Sequence, residues 1–139
     1  MRKSTLTGSC LCGNISYEYN GELGPASYCH CTDCRKVTGS AFIVSVRLDI
    51  KFFKITSESK TKSFTKMADS GNSITRAFCP DCGSPIFTTS EKATGYIWVR
   101  AGTVDNPELI KPVHQYWTDS KVDWAEIPEG ITSFNKGRQ

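Results

Sequence analysis

The sequence predicts a mainly β protein, with antiparallel strands and at most one or two short helices. Its 139 residues contain many short runs of β-branched and aromatic residues, separated by residues that favour turns. In some of these runs apolar and polar side chains alternate, as they do in a strand that buries one face. The length is that of one ordinary domain, and we expect residues 1–139 to form a single domain.

The predicted strands are spread along the whole chain. The first covers residues 14–19 and shows the clearest alternation, with the sequence NISYEY. The others cover residues 41–46, 52–55, 63–65, 73–78, 86–89, 96–100 and 113–117. After Phe134 the chain has no strand pattern, and we expect residues 135–139 to be a frayed tail.

One short stretch has the features of a helix. Thr32 is suited to cap it, Asp33 and Cys34 would lie in its first turn, and Gly39 would end it. The helix dipole and the unpaired backbone N–H groups at a helix N-terminus favour a thiolate. We therefore expect Cys34 to ionise readily.

The seven cysteines lie in three tight groups, Cys10 and Cys12, then Cys29, Cys31 and Cys34, then Cys79 and Cys82. The N-terminal residues include no apolar stretch of signal-peptide length, and no run is long enough to span a membrane, so we expect a cytoplasmic protein. In a reducing compartment clustered cysteines bind metal more often than they form disulfides. A disulfide framework is the alternative, and it would leave one thiol unpaired.

Two of these groups have the form of two-ligand metal turns. The segment FCPDCGS, Phe78–Ser84, places a glycine after its second cysteine, and SCLCGN, Ser9–Asn14, is a tighter element of the same kind. The simplest division of the ligands joins Cys10, Cys12, Cys79 and Cys82 in a closed structural zinc site. It leaves Cys29, Cys31 and Cys34 as an open site, which gives two zinc ions per chain. The rival divisions, with Cys29 or Cys34 in the four-ligand site, stay open.

The open site needs a fourth ligand, which would be water, a substrate atom or a histidine. His30 lies between two ligands in one extended segment and should point away from the metal, so we expect a surface or hydrogen-bonding residue. His114 is expected to be a partly buried strand residue. Three thiolates on one Zn²⁺ give a charge near −1, which weakens Lewis acidity and favours a soft sulfur donor. The pattern therefore predicts a small thiol as partner.

The charge pattern gives little support for nucleic acid as a partner. The net charge is +3, and it would fall to zero if all seven thiols ionised and two zinc ions bound. Lysines are frequent between Lys51 and Lys66, where we expect a solvated strand face with its aromatic residues in the core. Trp98, Trp117 and Trp124 are expected to lie in the core or in a pocket wall.

Beyond the cysteines, several blocks of sequence resemble one family in its own order. The blocks are CHCTDCRKVTGSAF (Cys29–Phe42), RAFCPDCGSPIF (Arg76–Phe87), AGTVDNP (Ala101–Pro107) and PVHQYWTDSKVDWAEI (Pro112–Ile127). They are similar to the glutathione-dependent formaldehyde-activating enzyme family, which also includes centromere protein V. The resemblance implies a zinc-binding antiparallel β fold. It also implies a structural zinc on Cys10, Cys12, Cys79 and Cys82 and a catalytic zinc on Cys29, Cys31 and Cys34.

The same resemblance implies a carbon–sulfur lyase that acts on a glutathione or other thiol adduct. The family's named activity joins formaldehyde and glutathione in S-hydroxymethylglutathione. Two alternatives belong to other functional classes. One is a non-catalytic zinc-stabilised module that binds an acidic partner, and the other is a glutathione carrier or sensor that binds without turnover.

Overall fold

The computed structural model describes residues 4–137, and within them it is mainly β with one α-helix. The strands are β1 (Ser4–Ser9), β2 (Ser16–Gly21), β3 (Ala26–Cys29), β4 (Ile43–Asp49), β5 (Phe53–Ile55), β6 (Lys62–Met67), β7 (Ser73–Phe78), β8 (Pro85–Ser90), β9 (Tyr96–Arg100), β10 (Pro112–Tyr116) and β11 (Thr132–Ser133). The helix is α1 (Thr32–Thr38), and short 3-10 turns occur at Ile50–Phe52, Ala101–Thr103, Pro107–Leu109 and Thr118–Ser120. The predicted fold class is confirmed.

The strands form two sheets. The small sheet has the order β1-β2-β5, and the large sheet has the order β11-β10-β3-β4-β9-β8-β7-β6. Neighbouring strands are antiparallel except around β10, which pairs in parallel with both β3 and β11. None of the helices within residues 4–137 is long and apolar enough to cross a membrane.

The main core joins the small sheet to one face of the large sheet. Tyr17 and Tyr19 of β2 and Val46 and Val99 of the large sheet belong to one buried apolar cluster. Because successive side chains of a strand point to opposite faces, the neighbours of these large-sheet residues lie on the other face. The large sheet therefore has an apolar face against the small sheet and a second face that is free to form a site.

Most predicted strands are present with shifted ends, and two agree exactly, residues 73–78 and 96–100. Three strands were not predicted, namely β1, β3 and β11. Strand β1 has the sequence STLTGS, in which a single large apolar residue, Leu6, carries the burial. Strand β3 has only four residues and β11 only two, so neither is long enough to show an alternating pattern.

Two local expectations need correction. The aromatic residues of the lysine-rich segment do not all lie in the core: Phe53 packs against it, but Phe64 is 61% exposed. The five lysines of that segment are exposed, as expected for a solvated face. The expected frayed tail is held in part, because the carbonyls of Asn135 and Lys136 accept backbone hydrogen bonds from Asp119 and Trp117. Residues 138–139 lie outside the described part of the chain.

Candidate metal centres and the cleft

Four cysteines lie close together where two strand ends meet. Cys10 and Cys12 follow β1, and Cys79 and Cys82 follow β7, so one pair comes from each sheet. Each pair sits in a tight turn that ends in a glycine with a left-handed φ, +82° at Gly13 and +80° at Gly83. In both turns the glycine N–H donates to the carbonyl of the first cysteine, at 3.1 Å and 2.9 Å. The turns thus aim two sulfurs each at one point.

The sulfur geometry of this four-cysteine cluster fits a tetrahedral ion. All four Sγ atoms lie within 4.8 Å of one another. Cys12 Sγ lies 3.6 Å from Cys10 Sγ and 3.7 Å from Cys79 Sγ. A tetrahedral zinc with Zn–S bonds of about 2.3 Å requires sulfurs about 3.8 Å apart. Both of these distances match that spacing, so the cluster could hold a metal ion.

Hydrogen bonds support the cluster from outside. The Ile15 N–H donates to Cys10 Sγ at 3.3 Å, and the Asp81 N–H donates to Cys79 Sγ at 3.4 Å. Hydrogen bonds from the side chain and backbone of Ser84 lower the pKa of the Cys82 thiol to about 5. Such donors favour the thiolate form that a metal needs.

The other three cysteines meet at the end of β3 and the start of α1. Cys29 is the last residue of β3, Cys31 follows it, and Cys34 lies in the first helical turn. Their Sγ atoms are within 4.8 Å of one another. The structure thus divides the seven cysteines into four and three, which is the division that the spacing favoured.

The helix begins differently from the prediction. Cys31, not Thr32, is the N-cap, and its Sγ accepts a hydrogen bond from the Cys34 N–H at 3.3 Å. Thr32 is already helical, because the extended backbone of Cys31 brings its sulfur over the first turn. Gly39 ends the helix at φ +67°, as expected. The cap therefore links the helix start directly to the three-cysteine cluster.

Three sulfurs this close compete for negative charge. Hydrogen bonds from the Cys29 and Cys34 thiols lower the pKa of Cys31 to about 2. The pKa of Cys29 is raised, since its proton is held by its hydrogen bonds to Cys31 and Cys34. A hydrogen bond with Cys29 lowers the pKa of Cys34, but its hydrogen bond with Cys31 and its burial raise that pKa to about 11, so the expectation that Cys34 ionises readily is wrong. A divalent cation among the sulfurs would allow all three to be thiolates. The donor set therefore fits a metal ion, with one tetrahedral position left for another ligand.

Neither histidine joins this cluster. His30 is fully buried, and its Nε2 lies 2.9 Å from Gln115 Oε1, so it is a hydrogen-bonding residue but not a surface one. The Gln115 Nε2 donates to Ser133 Oγ, which leaves Oε1 as acceptor and His30 Nε2–H as donor. His114 is half-buried in β10, as expected, beside the rings of Tyr116 and Phe134.

The three-cysteine cluster opens into a cleft of about 640 Å³ on the second face of the large sheet. This volume lies within the usual range of small-molecule sites, about 300–1,000 Å³. Trp98 and Trp117 contribute to its walls, while the exposed Trp124 does not line it. Trp117 has a left-handed backbone with φ 60°, which is rare for a residue other than glycine. None of the cysteines of the four-cysteine cluster lines the cleft.

Arginines that no sequence motif indicated form part of the cleft floor. Arg100 is 9% exposed, and its guanidinium donates to Ser45 Oγ at 2.6 Å and to Thr88 Oγ1. Burial lowers the pKa of Arg100 to about 10, so it remains a cation at neutral pH. Arg47 and Arg76 also line the cleft. The signal in the sequence was alternation: Trp98 and Arg100 alternate with the apolar core residues Ile97 and Val99.

Fold and site together define a class, a β protein with two cysteine clusters that could hold metal ions, one of which opens into a cleft. The sequence matches the family described as glutathione-dependent formaldehyde-activating enzyme over residues 5–120, and the chain belongs to that family. Among solved structures, it is similar to a crystal structure of a Rhodobacter sphaeroides protein, with a TM-score of 0.59 and 16% identity, over 76% of this chain and 96% of that one. That likeness supports the fold alone. No curated protein matches the chain.

Proposed function

We propose that the chain is a zinc-dependent enzyme of the carbon–sulfur lyase type, which joins formaldehyde to glutathione or a related thiol. The observation that carries this proposal is the opening of the three-cysteine cluster, Cys29, Cys31 and Cys34, into a cleft of small-molecule size. Membership in the glutathione-dependent formaldehyde-activating enzyme family supports the reaction. In this proposal Cys10, Cys12, Cys79 and Cys82 hold a structural zinc, which makes two zinc ions per chain.

The proposed reaction is an addition that balances without a further reagent. The thiol sulfur attacks the carbonyl carbon of formaldehyde, and one carbon–sulfur bond forms. The π electrons of the carbonyl move to its oxygen, which receives the proton that the thiol gives up. A zinc ion held by the three thiolates would supply an affinity for the soft sulfur atom.

The residues of the chain contribute binding and orientation. Trp98 and Trp117 narrow the cleft and reduce the water that surrounds a bound thiol. Arg100 lies close enough to all three cysteines to interact with them electrostatically. Its fixed positive charge favours an anionic sulfur over a neutral one beside the cluster. The site is therefore suited to a thiol that reacts as the thiolate.

The first test is metal content per chain, measured by elemental analysis before and after dialysis against excess glutathione. We expect two zinc ions per chain, with one becoming exchangeable because its cluster is open. The second test is the rate of S-hydroxymethylglutathione formation, measured by exchange NMR with zinc-loaded protein and with Cys34→Ser. We expect a rate above the uncatalysed background only for the chain that holds both metals.

Other results would contradict the proposal in distinct ways. Glutathione binding without any rate increase would favour a carrier or sensor. Two metals that glutathione never reaches would favour a structural zinc module. A rate increase retained in Cys34→Ser would show that the three-cysteine cluster is not the site of reaction.

A further inference from the structure

Strand register places two arginines on the floor of the cleft. Arg76 of β7 lies opposite Thr88 of β8, and Thr88 lies opposite Trp98 of β9, two residues before Arg100. Directly opposed side chains and those two apart in a strand share one face of a sheet. Arg76 and Arg100 therefore flank Thr88 on the same face, from strands on either side of it.

Both guanidinium groups have hydrogen-bond donors without acceptors. The Nε–H groups of Arg76 and Arg100 are buried and have no hydrogen-bond partner. Arg100 uses its other nitrogens on two neutral hydroxyls, and neither arginine forms an ion pair with a carboxylate within residues 4–137. Because an unmade hydrogen bond at a buried charged group is costly, an acceptor is expected here.

The two acidic residues that line the cleft, Asp33 and Asp69, do not supply that acceptor. Asp33 is bound by Lys66, whose Nζ lies 2.6 Å from its Oδ1. Asp69 lines the cleft but is solvent-exposed. Lys92 also lines the cleft, but it is a cation and cannot accept a hydrogen bond from an arginine. The thiolates of the three-cysteine cluster offset part of the positive charge, but metal-bound sulfur is a poor acceptor for N–H groups compared with a carboxylate oxygen.

Resting on the proposed function, we propose that Arg76 and Arg100 form a carboxylate-binding subsite, which makes the cleft selective for thiols that carry an acidic group. A carboxylate accepts two parallel N–H bonds from one guanidinium, and both arginines line the cleft without a carboxylate partner among residues 4–137. Arg76 interacts electrostatically with Cys31, and Arg100 with all three cysteines, so the subsite and the cluster are near each other. One small molecule can therefore place its sulfur at the cluster and its carboxylate on the arginines.

The test compares two thiols of similar size in the cobalt-substituted full-length protein. Mercaptopropionate carries a carboxylate where mercaptoethanol carries a hydroxyl, and both would change the cobalt absorption spectrum on binding through sulfur. We expect mercaptopropionate to bind at least about tenfold more tightly, since hydrogen bonds to a charged group are each worth about a factor of ten or more. Arg76→Met should remove most of that preference and leave mercaptoethanol binding within about twofold. Arg100→Met should also weaken mercaptoethanol binding, because its charge favours the thiolate, but it should weaken mercaptopropionate binding more and so reduce the preference.

Arg47→Met is the matched control, since it makes the same change at another arginine of the cleft lining. The Arg47 guanidinium is stacked on the Tyr96 ring at 4.4 Å and should not contribute to the subsite. Arg100 is buried, so its variant is checked for folding by circular dichroism, and the half-buried Arg76 gives an independent variant.

Three other results of this experiment would each overturn the proposed subsite. Equal binding of both thiols by the unchanged protein would overturn the subsite and leave the open metal site standing. An equal loss for both thiols in the arginine variants would also overturn it, because it would reduce the arginines to counter-charges of the thiolates. If neither thiol changed the spectrum, the open site itself would be refuted, and the subsite with it.

Discussion

Replacing Cys79 with serine should abolish the fold, whereas the same replacement at Cys34 should spare it. Cys79 is fully buried, its Sγ lies 3.7 Å from Cys12 Sγ, and the cluster it belongs to joins the end of β1 in the small sheet to the end of β7 in the large sheet. A metal ion there would therefore link the two layers of the protein across nearly seventy residues of chain, residues 12–79. Loss of the metal ion would remove this link between the two sheets.

The expected loss of stability in Cys79→Ser follows from the free energy that a bound metal contributes to folding. A structural zinc contributes about 10–16 kcal/mol to folding, while a typical domain has about 5–15 kcal/mol of net stability. Serine also leaves a buried hydroxyl, at about 1–3 kcal/mol when it is unpaired. The loss thus reaches or exceeds the whole stability. Cys34 lies in the first turn of α1 at the cleft, so its replacement removes one metal site and local contacts only.

The assay is urea denaturation followed by far-UV circular dichroism, together with zinc content per chain. We expect Cys79→Ser to be insoluble or to show no cooperative transition. Cys34→Ser should keep a cooperative transition and lose one zinc ion. Two variants with the same midpoint and the same metal content would refute the division into a structural and an open cluster.

Two further predictions concern stability. Burial raises the pKa of Tyr17 from 10.0 to about 12, so its ionisation opposes folding. The free energy of unfolding should change little below pH 10, fall by about 2 kcal/mol between pH 10 and 12, and fall less in Tyr17→Phe. Urea titrations across this range would check it, and parallel losses in both proteins would contradict it. Gly83→Ala should lower the free energy of unfolding by about 1–2 kcal/mol, because alanine is strained at a φ of +80°. The space around the new methyl group is open, so no steric clash adds to this loss. Gly95→Ala, without a left-handed φ, should change the urea midpoint little, and equal effects would argue against a backbone origin.

The sequence was informative where chemistry is concentrated in short motifs. Glycine after the second cysteine of each turn indicated a tight turn, and Gly13 and Gly83 do have a left-handed φ. The alternating pattern predicted β2, whose burial alternates along the strand. Such signals are local, because each depends on residues that are neighbours in the chain.

The cleft floor could not be predicted in the same way, because it depends on pairing between distant strands. Arg76 and Arg100 come together only through the register of β7, β8 and β9. The capping of α1 was also missed, since sulfur is an unusual cap and the sequence offered Thr32 one residue later. Both features arise from tertiary structure: register in one case, and the geometry of the cysteine cluster in the other.

The two clusters offer the same ligand type in different surroundings, and this difference is the physical basis for the structural role proposed for one and the binding role proposed for the other. Around the four-cysteine cluster, two turns supply all four ligands of a tetrahedron. Two hydrogen bonds join these turns: the Leu11 N–H donates to Ser84 Oγ at 3.1 Å, and Asn14 Nδ2 donates to Asp81 Oδ2 at 2.8 Å. Around the three-cysteine cluster, one strand end and one helical turn supply three directions, and the fourth faces a cleft with arginines on its floor. An incoming thiolate therefore meets positive charge at the second cluster. At the first cluster it would have to displace a cysteine that its own turn holds in place.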